Sequence, residues 1–172
     1  MDSKKNSELI KDLFAVDKKI VTKAITDIRN HGNNELLKAL IKLYDKNDDK
    51  ELRNTIAGVF NDLKDQKAGE LIIQSIRENS NKDVKKMLIS SCWQSRLNYM
   101  DYLELFIDIV LCEDFILSFE AFTVIENIEE KTTAERKNKL INYITTNIGK
   151  CINDNKALAD DLVQIVSNYD NI

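Results

Sequence analysis

Proline is absent from this sequence, and glycine occurs only four times. Sandwiches and barrels turn often, and their turns recruit both residues for backbone angles that others avoid. Their scarcity points to helices joined by short polar loops. Histidine is nearly absent as well, with His31 standing alone. That excludes a multi-histidine metal site and argues against a Ser-His-Asp triad. The three cysteines, Cys92, Cys112 and Cys151, are odd in number and form no CxxC pair, so neither a disulfide framework nor a zinc site is indicated. Cys92 and Cys112 lie among apolar residues and read as buried small hydrophobes rather than reactive thiols. No run approaches the roughly 18 apolar residues of a membrane span. The polar start Met1-Asp-Ser-Lys-Lys-Asn carries no signal-peptide pattern. A cytoplasmic protein is the expectation.

The glycines Gly32, Gly58, Gly69 and Gly149 are scattered, so no phosphate-binding loop exists. The run Asp45-Lys-Asn-Asp-Asp-Lys lacks the glycine and terminal glutamate of a calcium loop and reads as solvated. No catalytic residue, metal or cofactor is therefore expected. Gly32, after His31, is placed at a helix end in the left-handed cap position, with the imidazole favouring the negative helix terminus. Gly58 falls in mid-helix, where it would permit close helix packing.

What the chain does have is helical periodicity. Its 172 residues, with 43% hydrophobic and 31% charged, suit a single all-α domain over 1–172. Apolar spacing predicts ten helices, at 4–14, 18–30, 34–45, 49–64, 67–78, 82–96, 101–113, 115–130, 133–152 and 156–169. Polar breaks separate them at His31–Asn34, Lys46–Asp48, Glu78–Asn81 and Asn153–Asn155. Capping-box pairs are expected at Asp48 with Glu51, Asp101 with Glu104 and Thr132 with Glu135.

A period of 32 residues runs through the pattern. Ile20, Leu52, Val84 and Ile116 are equally spaced, as are Ile28, Phe60, Cys92 and Val124. Ile25, Ala57, Ile89 and Ala121 keep the same phase, and Asp17, Asp49, Asn81 and Glu113 stand three residues before the first row. Self-similarity at this period marks a solenoid, in which one helix pair cannot bury its apolar face alone and neighbours must stack. The first row is expected to line the shared seam.

The openings Asp49-Lys-Glu-Leu52-Arg53 and Asn81-Lys-Asp-Val84-Lys85 carry a polar-x-x-aliphatic-basic pattern. They run on into Ile56-Ala57 and Phe60, and into Leu88-Ile89 and Cys92. In this the chain resembles the HEAT-like, armadillo-like family of α-α superhelical repeats. Asp17-Lys-Lys-Ile20 and Glu113-Asp-Phe-Ile116 match in part, since Val21 and Leu117 replace the basic residue. The resemblance implies a right-handed α-α superhelix of four to five antiparallel helix pairs. Its repeats would span 17–48, 49–80, 81–112 and 113–152, with end caps at 4–14 and 156–169. It also implies a scaffold or adaptor role. The chain departs from the family in lacking a kinking proline and in its shorter repeat.

One region stands out in charge. From Leu97 to Glu130 there are nine acids and no Lys or Arg, whereas the whole chain carries −4. Seven of the twelve aromatics fall between Trp93 and Phe122, and Trp93 itself is placed on the apolar side of its helix. Asp101, Glu104 and Asp108 share a helix face by their spacing. They form either an acidic ridge that steers a basic partner or a merely solvated face. With Tyr99 and Tyr102, whose rings and hydroxyls suit contacts, these three acids are the candidate partner-binding residues.

The expected function is a non-catalytic protein–protein interaction module with a basic protein partner and no affinity for nucleic acid or membrane. An immunity protein neutralising a basic toxin is a second reading. A HEAT-like DNA glycosylase is a third, opposed by the acidic balance of a chain with pI 5.2.

Overall fold

The computed structural model describes residues 3–95, 97–129 and 131–170. Ten α-helices and three short 3₁₀ turns make up the elements described. The helices are α1 (Ser3–Leu13), α2 (Lys18–His31), α3 (Asn34–Asp45), α4 (Lys50–Asn61), α5 (Lys67–Glu78), α6 (Lys82–Ser95), α7 (Leu103–Cys112), α8 (Phe115–Glu126), α9 (Ala134–Asn147) and α10 (Lys156–Ser167). The expected all-α class is observed, and α3 and α5 have the expected bounds. The chain divides into two compact units, Met1–Ser91 and Cys92–Ile172, with the division inside α6.

In the first unit α1 packs on α2 and α3, and α4 packs on both α2 and α3. Polar bonds tie helices about one repeat apart. Lys18 pairs with Asp49, Arg29 with Asp62, and Arg53 with Asp83, the last at 3.1 Å. Asn6 donates to Glu35 at 2.6 Å, and Asn81 donates to Asp45 at 2.7 Å. The loops reuse one device: Asn47 Oδ1 accepts the Asp49 amide at 2.8 Å, and Asn79 Oδ1 accepts the Asn81 amide at 3.0 Å. Such side chain-to-backbone turns end one helix and aim the next.

Helix starts depart from the expected boxes by one residue. Asp49, not Asp48, caps α4 through the amides of Glu51 and Leu52. Asp48 pairs instead with Arg53. Thr133, not Thr132, caps α9, and Glu135 pairs with Lys139 on the next turn. Asp101 caps nothing: α7 begins after a 3₁₀ turn and has no side-chain cap.

The expected seam is also corrected. Val84 is fully buried, but Ile20 is 42% and Ile116 58% exposed, and Leu52 is half-buried. The cause at α8 is a one-residue slip, because its cap is Asp114 rather than Glu113. Leu117 therefore turns inward where Ile116 was expected. Counted from the helix starters Asp17, Asp49, Asn81 and Asp114, the residues seven on are Ala24, Ile56, Leu88 and Ala121, all buried. Eleven on stand Ile28, Phe60, Cys92 and Ile125, also buried. These middle turns meet neighbours, while in the first turn of α2 Val21 is buried and Ile20 faces outward.

Both glycine expectations fail for identifiable reasons. Gly32 has φ −66°, an ordinary value, so it is no left-handed cap. A Cβ there would lie 2.5 Å from the Ile28 carbonyl oxygen, and this close approach is what demands glycine. At Gly58 a Cβ would meet only the Arg29 guanidinium at 4.0 Å, so close packing does not require it.

In the second unit α7 packs on α8 and α9, and α10 packs against all three. The hinge of this cluster is Asn155, a residue of the expected polar break, which is fully buried. Its Nδ2 lies 2.9 Å from the Val110 carbonyl, 2.8 Å from the Glu113 carbonyl and 2.8 Å from Ser118 Oγ. It thereby occupies carbonyls that the end of α7 leaves without intrahelical donors. Ser118 Oγ in turn donates toward the Ile109 and Glu113 carbonyls. At the far end, the Tyr169 hydroxyl donates to the Ile125 carbonyl at 2.6 Å. The segment at 156–169 is thus built into the cluster.

Candidate functional site

The predicted contact residues part company in the structure. Tyr99 is 1% exposed, with its ring edge-on to Phe106 at 6.1 Å, so it belongs to the core and presents no surface. Its hydroxyl lies beside Cys92 and Ser95, and burial pushes its pKa far up. Burial likewise pushes the Cys92 thiol up to about 12. Cys92 is the inert small hydrophobe expected of it. Cys112, by contrast, is exposed.

The acidic ridge is partly spent inside the molecule. Glu104 takes a two-pronged bond from Arg136 of α9, with both N–O distances at 2.6 Å. Asp108 accepts the hydroxyl of Tyr143, also from α9, at 2.8 Å. Burial first, and then the Asp108 carboxylate, push the Tyr143 pKa up to about 12. Asp101 is exposed and Tyr102 half-buried. The sequence window from Leu97 to Glu130 contains no cation, yet the fold delivers Arg136, 32 residues after Glu104. The last of the nine acids, Glu130, lies outside the described residues.

What the structure leaves outward is aromatic. Phe115 is 51%, Ile116 58% and Phe119 52% exposed, and the Phe115 and Phe119 rings stack with centroids 6.2 Å apart. At 100° per residue these three share one side of α8 with the half-buried Phe122 and Thr123. The opposite side buries Leu117, Ser118, Ala121, Val124 and Ile125. Trp93 is exposed as well, against expectation. Its indole N–H donates to Glu120 Oε2 at 3.1 Å, which fixes the ring at the edge of this face. Amphipathicity in the sequence does not show this side of α8, because the helix is apolar nearly all round. That uniformity was the signal available. A helix of this kind is ordinarily covered on both sides.

The first unit holds a groove of about 830 Å³ beside α2 and α4. It mixes Phe14, Val16 and Leu52 with Lys19, Lys23 and Glu51, and none of the predicted site residues lies in it. Among the described residues no cluster of His, Cys, Asp or Glu is arranged to hold a metal ion. Among the described residues no helix is long and apolar enough to cross a membrane.

No protein-family model and no curated protein matches the chain. Among solved structures it is similar to the crystal structure of an engineered protein, at 13% identity and a TM-score of 0.47, over 96% of this chain and 81% of that one.

Proposed function

We propose that this chain is a non-catalytic helical-repeat module that binds a protein partner through the outer face of α8 and the adjoining Trp93. The observation that carries this reading is the exposure of Phe115, Ile116 and Phe119 on a helix that already buries its other side. Soluble monomers rarely leave contiguous apolar patches of this kind uncovered unless they are contact sites. Aromatic anchors of this type dominate interface energetics.

The partner is a basic, apolar-faced segment of protein. Glu113, Asp114 and Glu120 lie on or beside the face, and no Lys or Arg occurs between residues 97 and 130. Complementary charge of this kind speeds encounter and excludes acidic competitors. The acids Glu104 and Asp108, held by α9, shape the surface rather than meet the partner. Each unit is read as part of a right-handed α-α superhelix. Support comes from the packing of alternate helices and from polar bonds at sequence separations near one repeat.

The test uses two synthetic amphipathic helices, both with leucine on one face, one with lysine and one with glutamate on the other. Calorimetry is expected to show the lysine peptide binding at least about tenfold more tightly than the glutamate peptide. The triple change Phe115→Ala, Ile116→Ala, Phe119→Ala should weaken the lysine peptide at least about tenfold with unchanged helical circular dichroism. Undiminished affinity in that variant would remove α8 as the contact face.

A further inference from the structure

Cys112 ends α7, and Cys151 precedes the segment that carries Asn155. Between them runs a backbone hydrogen bond: the Ile152 amide donates to the Leu111 carbonyl at 3.1 Å. Each cysteine is the immediate chain neighbour of one bonded residue. Standard backbone dimensions then hold their Cα atoms within about 8 Å. Disulfides need a Cα separation of roughly 4.4–6.8 Å. Cys112 is exposed and Cys151 half-buried, so the Cys112 thiol is the more open to a small oxidant. The Cys151 thiol is held above its usual range by burial, then by Asp160, then by Cys112 itself, so the two sulfurs sense each other.

We infer that Cys112 and Cys151 form a reversible disulfide, a modification site that clamps the 151–155 segment to the end of α7. The reaction is exchange with a small disulfide oxidant. The Cys112 thiolate attacks one oxidant sulfur, forming a mixed disulfide and expelling the first small thiolate. The Cys151 thiolate then attacks Cys112 Sγ and expels the second. Two protein thiols are oxidised, one oxidant disulfide is reduced to two thiols, and the two cysteine protons end on the leaving groups. The raised Cys151 thiol is less ionised at neutral pH, so the second step quickens as pH rises.

The link would close a loop that contains all of α8 and α9, at the corner three residues ahead of Phe115. It goes beyond the binding role proposed above and does not depend on it.

The experiment treats the full-length reduced protein with oxidised glutathione and reads intact mass and a non-reduced peptide map. The expected product is a monomer lighter by about 2 Da, with Cys112 joined to Cys151. Its melting temperature should rise by about 5–15 °C and fall back on reduction. Cys112→Ser and Cys151→Ser should each abolish the internal link. A glutathione adduct that persists on Cys112, or a dimer joined through Cys112, with no Cys112–Cys151 peptide, overturns the inference.

Discussion

The two units of the chain hold their helices together by different means. In the first, apolar middle turns meet across α2, α3 and α4, and the polar bonds between helices are largely exposed ion pairs such as Lys18–Asp49 and Arg29–Asp62. Exposed pairs contribute little, typically under about 1 kcal/mol. In the second unit a buried amide, Asn155, bonds two carbonyls and a hydroxyl, and large apolar side chains remain outside on α8. The first unit links its helices at the surface by charge, though it too exposes Phe14, Val16 and Ile20 and buries Asn6 and Ser91. The second joins its helices through the buried Asn155–Ser118 network and exposes stacked aromatic rings on one helix. A surface that costs solubility and an interior that needs precise hydrogen bonds are both unusual. Their coincidence in one unit is what the contact role proposed above rests on.

The sharpest way to break this comparison is Asn155→Asp. The substitution removes both donors and aims a carboxylate at two carbonyl oxygens in a dry site. It should cost more than about 3 kcal/mol in urea unfolding followed by circular dichroism. A loss under about 0.5 kcal/mol, the range of surface changes, would show that Asn155 is not structural. Next comes a pair within α2 of the first unit. Ile28→Ala, at a buried middle turn, should cost about 2–5 kcal/mol. Ile20→Ala, at the exposed first turn, should stay within about 0.5 kcal/mol. Equal costs would restore the seam that the sequence period alone suggests. The smallest effect runs the other way. Gly58→Ala should stabilise by about 0.5–1 kcal/mol, because a methyl there touches only a guanidinium. Destabilisation would mean that α2 and α4 approach more closely than they do here.

Much of the fold was legible because helix formation is local. Ten helices could be placed from apolar spacing and polar breaks, and most bounds fall within a few residues. Side chains that point inward were harder. Ile20 and Ile116 keep the period of 32 but sit in first turns, and the cap at Asp114 shifts α8 by one residue. A period read along the chain cannot register such a slip, which rotates every side chain by 100°. The candidate surface was legible only in part. The stretch from Trp93 to Phe122 does hold the unusual surface. The sequence suggested acids outside and aromatics within; the structure ties Glu104 and Asp108 to α9 and divides the aromatics, with Tyr99 and Phe106 buried and Trp93, Phe115 and Phe119 exposed. Partners for Glu104 and Asp108 come from α9, more than 30 residues away, where no window centred on the acids can find them.

Trp93 is the chain's single tryptophan, and its indole N–H is tethered to Glu120 at the margin of the aromatic face. A partner seated on that face as proposed would dry, displace or re-bond this one indole, whose emission colour depends on its hydration. The protein therefore carries its own optical reporter, without a dye or tag, for the occupancy proposed above.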